Sequence, residues 1–290
     1  MSFAHERQDD RPAAEGMDAA QRRSALDLLA RLQPFFPEVG FSLDAAGDDG
    51  LSAAQFWAED GAGLEAGLAY QDCFAVGMDD KIRAAHLIAF YGNQLALALG
   101  SLYLGAGIVA GVRRLRFEEF SRAYGERLVA AKRFHFSLSM PAVGDNAPGD
   151  ADAFGETFAV HLAPVIAMLK RRTGLSSGAQ WRLAADSLAG GFLEIGRALG
   201  DEEDAMSKAL AIVKRQGTPL YSDKLCYEAI KVEFGEGSGD QALSRVYRLR
   251  GGCCLYYRTE GGSFCDSCVL LAPQERRERL QAHLLASQAG

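Results

Sequence analysis

Four of the six cysteines lie within sixteen residues near the C-terminal end of the sequence. They are Cys253, Cys254, Cys265 and Cys268, and their spacing is C-C-x10-C-x2-C. A single buried cysteine is ordinary packing, because a free thiol behaves as a small hydrophobic group. Four thiols this close together are a metal-binding pattern instead. The segment is therefore predicted to hold one metal centre.

The spacing alone leaves the identity of this centre open. A structural zinc site prefers two CxxC-type knuckles to an adjacent pair. A [2Fe-2S] cluster needs four thiolates and accepts uneven spacing. Disulfides would suit a secreted chain, which the rest of the sequence does not resemble. The pattern favours the cluster and keeps zinc and disulfides as alternatives.

The adjacent cysteines require a bend in the backbone. Neighbouring side chains of a strand point to opposite faces, so both thiols can serve one site only if the chain turns there. Gly251 and Gly252 precede the pair and are expected to supply unusual dihedral angles. We predict two short strands, around 249–258 and 263–271, which form a hairpin that brings the cysteine pairs together.

The cysteine segment resembles the C-terminal signature of the FhuF family of ferric-siderophore reductases. The resemblance lies in Cys-Cys-Leu-Tyr-Tyr-Arg at 253–258 and Phe-Cys-Asp-Ser-Cys at 264–268. It extends weakly over most of the chain from about residue 84, including Leu-Ala-Pro-Val-Ile at 162–166 and Trp-Arg-Leu-Ala at 181–184. The resemblance implies a [2Fe-2S] cluster on Cys253, Cys254, Cys265 and Cys268. It also implies one-electron reduction of a ferric siderophore, of hydroxamate type.

The charged residues between 241 and 259 are all positive, and they suggest a docking surface. These residues are Arg245, Arg248, Arg250 and Arg258. A basic patch on an acidic protein can attract an anionic ferric chelate or an acidic electron donor. The alternative is that the arginines are solvated and balance the thiolates. Trp181 is either a core aromatic residue or a wall of the substrate cleft.

Other chemistry is not visible in the sequence. The formal net charge of −7 argues against a nucleic-acid-binding protein. We find no nucleophile elbow, no HExxH motif and no GxxxxGK[ST] motif, and no convincing site for NADPH or flavin. Residues 174–178 spell GxSxG, but they are interpreted as a connector between two helices. No catalytic residue is predicted beyond the cluster, so electrons must come from a separate donor such as a ferredoxin or a reductase. A non-catalytic siderophore-binding protein stabilised by zinc, and an Fe-S sensor or relay, are the alternative functions.

A long uncharged run bears on localisation. Residues 84–112 contain no Asp, Glu, Lys or Arg, which is typical of a transmembrane helix. The run also contains polar residues and five glycines, so a buried helix that ends in a glycine-rich turn is preferred. Residues 1–16 lack the apolar region of a signal peptide, and Cys73 and Cys226 are interpreted as packed structural thiols. We predict a cytoplasmic protein without a transmembrane span; association with the membrane surface stays open.

The predicted fold class is α+β, mixed and helix-rich. Period-2 alternation predicts strands in the middle of the chain, at 113–120 and 133–140. Apolar periodicity predicts a helical C-terminal half, with helices at 154–172, 179–199, 201–215 and 273–286. We divide the chain into a disordered tail at 1–16, an N-terminal α/β subdomain at 17–145 and a C-terminal helical subdomain at 146–290. The last subdomain contains the small C-terminal cysteine hairpin, at about 245–272.

Overall fold

A computed structural model of the chain describes residues 19–43, 49–59, 61–125, 127–141, 149–233 and 242–287. The predicted tail at 1–16 lies outside these residues. The fold is α+β and helix-rich, as predicted. The helices are α1 (Ala19–Leu32), α2 (Ala53–Phe56), α3 (Ala62–Tyr70), α4 (Asp80–Ala106), α5 (Ala151–Thr173), α6 (Ser177–Leu199), α7 (Glu202–Val213) and α8 (Pro273–Ala286). The strands are β1 (Gly40–Leu43), β2 (Gly111–Tyr124), β3 (Arg127–Ser139), β4 (Cys226–Glu233) and β5 (Ala242–Leu249).

The two predicted middle strands correspond to β2 and β3, and β1, which was not predicted, joins them in a three-stranded sheet with the order β1-β3-β2. β1 is parallel to β3, and β2 is antiparallel to it. Phe134, Phe136 and Leu138 of β3 are fully buried, because alternate side chains of a strand share one face. His135 lies on the opposite face, where its ring contacts the Ser42 hydroxyl at 3.1 Å. The predicted alternation is confirmed.

The uncharged run forms the central helix of the core. Asp79 caps the start of α4 by accepting a hydrogen bond from the Ile82 amide, and Gly107 ends the helix in the left-handed conformation. α4 and α5 are each long and apolar enough to cross a membrane, but 78% of the apolar window of α4 is buried inside the protein, against 39% for α5. The preferred interpretation, a buried helix, is confirmed for α4.

The C-terminal helices α5 to α8 also agree with the predictions, but the same half contains a strand pair that the sequence did not indicate. β4 and β5 pair as an antiparallel hairpin, in which Cys226 lies opposite Leu249. α8 covers this hairpin through Leu280 and Leu284, which form a small second core with Ile230 and Leu249. The hairpin therefore anchors the start of the cysteine segment, which follows β5 directly.

One apolar core runs through both predicted subdomains. α4 packs closely along α6, and side chains of both helices are fully buried there. The same core includes residues of α1 and of the three-stranded sheet. The division at residues 145 and 146 stays a prediction, because the junction 142–148 lies outside the described residues.

Candidate metal centre

The cysteine segment is a compact loop, so the predicted hairpin of strands at 249–258 and 263–271 is wrong. After β5 ends at Leu249, the chain makes turns and one short 3-10 helix, Tyr256–Arg258. The bend occurs at Leu255, whose φ of 63° makes it the one non-glycine residue with positive φ among the described residues. This conformation points the Leu255 amide at the Cys253 sulfur, at 3.4 Å. The loop backbone therefore turns around the cysteine pair.

Gly251 and Gly252 have a different role from the one expected, because neither has a positive φ. Both permit close packing of the loop: Gly251 lies against Ser222 and Leu225, and Gly252 lies against α6. A Cβ atom on Gly252 would lie 3.1 Å from the backbone of Arg182 and Leu183. At this distance the Asp186 carboxylate accepts hydrogen bonds from the amides of Gly251, at 2.7 Å, and Gly252, at 2.9 Å.

Further backbone hydrogen bonds hold the two cysteine pairs in one loop. The Arg250 amide donates to the Ser267 carbonyl at 3.2 Å, which places the beginning of the segment beside its CxxC end. The Cys268 amide donates to the Cys265 carbonyl at 2.9 Å and closes a turn at that end. Cys268 is buried, and the other three cysteines are partly exposed.

Arg250 reaches both cysteine pairs. Its Nη1 atom lies 3.4 Å from the Cys254 sulfur and 3.7 Å from the Cys265 sulfur. Its Nε atom lies 3.6 Å from the Asp186 carboxylate. Burial alone would lower the pKa of Arg250, but Cys254 and Asp186 outweigh this effect and raise it. The guanidinium is therefore held as a permanent positive charge beside two sulfurs.

His86, on α4, is a second neighbour of the Cys254 thiol. Burial alone would raise the pKa of Cys254, but the neighbouring His86 ring and the charge of Arg250 lower it to about 6. Burial raises the pKa of Cys253 and that of Cys265. The His86 ring also lies against Tyr256, with 5.8 Å between the ring centroids. Cys254 is thus the thiol that this environment makes most acidic.

Only two of the predicted docking residues, Arg245 and Arg248, line the same cleft. Arg245 is exposed, and Arg248 turns inward to donate to the Asp186 carbonyl, while burial lowers its pKa. Arg258 pairs with Asp79 at 3.1 Å, at the start of α4. Trp181 lines a separate cavity of about 680 Å³ between α5, α7 and residues 217–220.

A cleft of about 330 Å³ opens directly beside the cysteine loop. Its walls come from α6, β5, α8 and residues 265–267 of the loop. Basic groups on these walls outnumber acidic ones: they are Arg197, Arg245, Arg248 and His283, against Glu194 and Asp266. Cys265 itself borders the cleft, so a ligand there would lie against a candidate cluster sulfur.

Sequence reasoning missed Asp186 and His86. Asp186 stands alone as an acid in an otherwise small and apolar stretch of α6, and it is 1% exposed. A buried carboxylate without a role is costly, so this position was a detectable signal. His86 carried no comparable signal, because its neighbours in the sequence do not indicate contact with a residue 168 positions away.

The interpretation of Cys73 and Cys226 as packed thiols is wrong, because both are exposed. Cys73 ends a short helical turn, and Cys226 begins β4.

The donor set fits an anionic metal centre. Four thiols share one loop, and the buried Nε2 atom of His86 has no hydrogen-bond partner within the part of the chain that the structure describes. Among these residues no three His, Cys, Asp or Glu side chains are placed to hold one metal ion. A [2Fe-2S] cluster takes two thiolates at each iron, so it requires pairs of ligands rather than three at one ion.

Comparison with known proteins identifies the segment. Residues 250–270 match the family model of the FhuF 2Fe-2S C-terminal domain. No curated protein matches the chain. The match confirms the resemblance of the cysteine segment to this family, and it assigns a [2Fe-2S] cluster as the cofactor of this domain.

Proposed function

We propose that this chain, whose cysteine loop is a FhuF-type 2Fe-2S domain, is a cytoplasmic ferric-siderophore reductase. It transfers one electron from the [2Fe-2S] cluster to siderophore-bound Fe(III) and releases Fe(II). The ligands are Cys253, Cys254, Cys265 and Cys268. The observation that carries the proposal is the loop itself, in which both cysteine pairs face one buried arginine beside an open cleft.

The substrate chemistry suits a protein that offers only an electron. Ferric iron is a hard cation that the hard oxygen donors of hydroxamates hold tightly, whereas ferrous iron is softer and is held less tightly. Reduction alone therefore releases the metal, and no general acid or nucleophile is required. The bound cluster supplies a one-electron couple, and the protein has to bring the chelate close to it.

The cleft beside Cys265 is the proposed docking place for the ferric chelate or for the electron donor. The exposed Arg245 gives its wall a positive charge, and Cys265 is one of its lining residues. An anionic chelate, or an acidic surface of a ferredoxin or reductase, would be attracted there. Trp181 is retained as a second proposed docking residue, in its own cavity. The electron donor is a separate protein in this proposal.

The proposed cytoplasmic location rests on the thiols. Cys73 and Cys226 are exposed and free, and exposed free thiols persist in a reducing compartment. The proposal includes no nucleic-acid partner and no transmembrane span; α4, the more apolar candidate, fills the core. Surface association with a membrane is an open part of the proposal.

The test begins with the purified protein. We expect a reddish-brown protein that contains iron and acid-labile sulfide. Its visible absorption should bleach on anaerobic reduction and return when a ferric trihydroxamate is added, while a ferrous-specific chelator captures Fe(II). The gallium(III) complex of the same hydroxamate is the matched control, because gallium keeps the charge and size but cannot be reduced. A colourless protein with one zinc ion would contradict the proposal, and a cluster that cycles without reducing the chelate would indicate a relay or sensor.

Ligand identity is tested by substitution. Cys253→Ser, Cys254→Ser, Cys265→Ser and Cys268→Ser should each lose the visible absorption of the cluster. Cys73→Ser and Cys226→Ser are matched controls that should retain it, because neither thiol lies in the loop. A normal cluster in Cys253→Ser would disprove our use of the adjacent pair.

A further inference from the structure

The Arg250 side chain faces the cysteines rather than the solvent. Its side chain is 13% exposed, and its Nη1 atom approaches one sulfur of each cysteine pair, Cys254 at 3.4 Å and Cys265 at 3.7 Å. A docking residue has to present its charge to a partner at the surface. Arg250 instead presents its charge to the sulfurs.

Asp186 holds this arginine in place. Its carboxylate is 2% exposed, lies 3.6 Å from Arg250 Nε, and also accepts the amides of Gly251 and Gly252. The Arg248 guanidinium donates to the carbonyl of the same Asp186. Arg248 is therefore bonded to the main chain of α6 and has Glu194 as a further acidic neighbour. Arg250 is the guanidinium that faces the sulfurs, with the Asp186 carboxylate as its ion-pair partner.

This arrangement has an electrostatic consequence for electron uptake. A centre of two ferric ions, two sulfides and four thiolates is negatively charged, and it becomes more negative when it gains an electron. Positive charge and N–H donors at the sulfurs stabilise the reduced state more than the oxidised state and raise the reduction potential. The effect is strong at a buried site, because little water screens it.

We propose that Arg250, held by Asp186, is a positioning residue that raises the reduction potential of the cluster, and that the negative charge of Asp186 limits this rise. The inference rests on the ligand assignment of the proposed function, and it replaces the docking role predicted for Arg250. It adds no step to the reaction. It states which side chains determine how readily the cluster accepts and passes on its electron.

The test is a potentiometric titration of the purified, cluster-loaded protein, followed by visible absorption. Iron and sulfide are quantified in every variant. Arg250→Gln should lower the potential, so that the ratio of reduced to oxidised cluster at a fixed ambient potential falls about tenfold, which is about 59 mV for one electron. Asp186→Asn should raise the potential, because it removes the opposing charge. Arg250→Lys should recover most of the shift.

The matched control is Arg279→Gln. Arg279 supports the same loop by donating to the Phe264 carbonyl at 3.0 Å, and it pairs with Glu275. Its loss should leave the potential unchanged, so a shift of equal size there would overturn the inference. A fully loaded Arg250→Gln protein with an unshifted potential would also overturn it, as would shifts of the same sign in Arg250→Gln and Asp186→Asn.

If Arg250→Gln does not retain the cluster, the reduction potentials of Arg250→Lys and Asp186→Asn test the inference instead. Loss from Arg250→Lys as well would show that the arginine is a structural support, and would overturn the inference. The two proposals fail in different ways. Zinc in place of iron in the purified wild-type protein would refute the proposed function. Normal chelate reduction together with unshifted reduction potentials in the variants would refute only the role of Arg250.

Discussion

The contact between the cysteine loop and α6 leads to a sharp prediction for Gly252→Ala. The new Cβ atom would lie 3.1 Å from the Arg182 carbonyl carbon and from the Leu183 nitrogen. Both atoms belong to the helix backbone, which cannot move aside as a side chain can. Optimal carbon contacts are about 3.5–4.0 Å, so the loop has to move outward.

The magnitude follows from the contacts that such a movement disturbs. Overpacking in a well-packed region costs about 1–3 kcal/mol. The movement also strains the Asp186 hydrogen bonds to Gly251 and Gly252, and hydrogen bonds to a charged group contribute about 1.5–3 kcal/mol each. We expect a free energy of unfolding that is lower by about 1–3 kcal/mol, since relaxation of the loop offsets part of the sum. Iron should also be lost faster to a chelator.

The assay is denaturant unfolding of the metal-free and cluster-loaded proteins, with iron retention measured under a fixed chelator challenge. Gly178→Ala is the matched control, because Gly178 lies in the first turn of the same helix and a Cβ there would meet only the end of the Arg182 side chain, at 3.8 Å. That change should be neutral or stabilising by up to about 1 kcal/mol, since alanine favours helix. Wild-type stability and iron retention in Gly252→Ala would refute the reasoning.

Three further predictions concern the groups around the sulfurs and the cleft. His86→Leu should lower the reduction potential less than Arg250→Gln, because it removes a polar ring beside Cys254 and not a permanent charge. Potentiometric titration measures this, and an equal or larger shift would contradict it. In the metal-free protein at pH 7, Cys254 should be alkylated first among the four loop thiols, because its lowered pKa of about 6 makes it mostly thiolate. The rate of alkylation should fall as the pH drops below 6, because Cys254 becomes protonated, whereas the selectivity should fade as the pH rises and the other loop thiols ionise. Mass spectrometry of quenched samples measures both. Arg245→Glu should reduce kcat/KM for an anionic ferric chelate several-fold at low salt and much less at high salt. If only Trp181→Ala reduced kcat/KM, the chelate would dock in the cavity that Trp181 lines instead.

Much of the fold follows from local patterns that a sequence shows directly. β3 alternates apolar and polar residues, so its strand and its buried face were predictable. α4 has no Asp, Glu, Lys or Arg after Arg83 and is capped by Asp79, which together indicate a buried helix with a defined start. The β4–β5 hairpin was missed, because only Ile230 and Leu249 are buried in it and its apolar pattern is weak.

The backbone path of the cysteine loop and its tertiary contacts could not be predicted from the sequence. The identity of the candidate ligands depends on local spacing, which a family resemblance could supply. The backbone path depends on Leu255 in a conformation that leucine rarely adopts, and on glycines that serve close approach rather than positive φ. The partners of the loop, His86 and Asp186, come from helices far away in the sequence. Their contacts are a product of tertiary packing.

The way in which the loop is attached bears on cofactor delivery during maturation. All four cysteines lie between β5 and α8, and no helix of the core passes through this segment. Its outer part is fastened to the start of α4 by one Glu260 amide donating to the Val76 carbonyl and by the exposed pair of Arg258 and Asp79. Exposed ion pairs contribute only about 0–1 kcal/mol. This outer part can therefore open locally while the Asp186 contacts with Gly251 and Gly252 hold the beginning of the segment on α6. Such opening would give an incoming cluster access to the cysteines of a nearly complete protein.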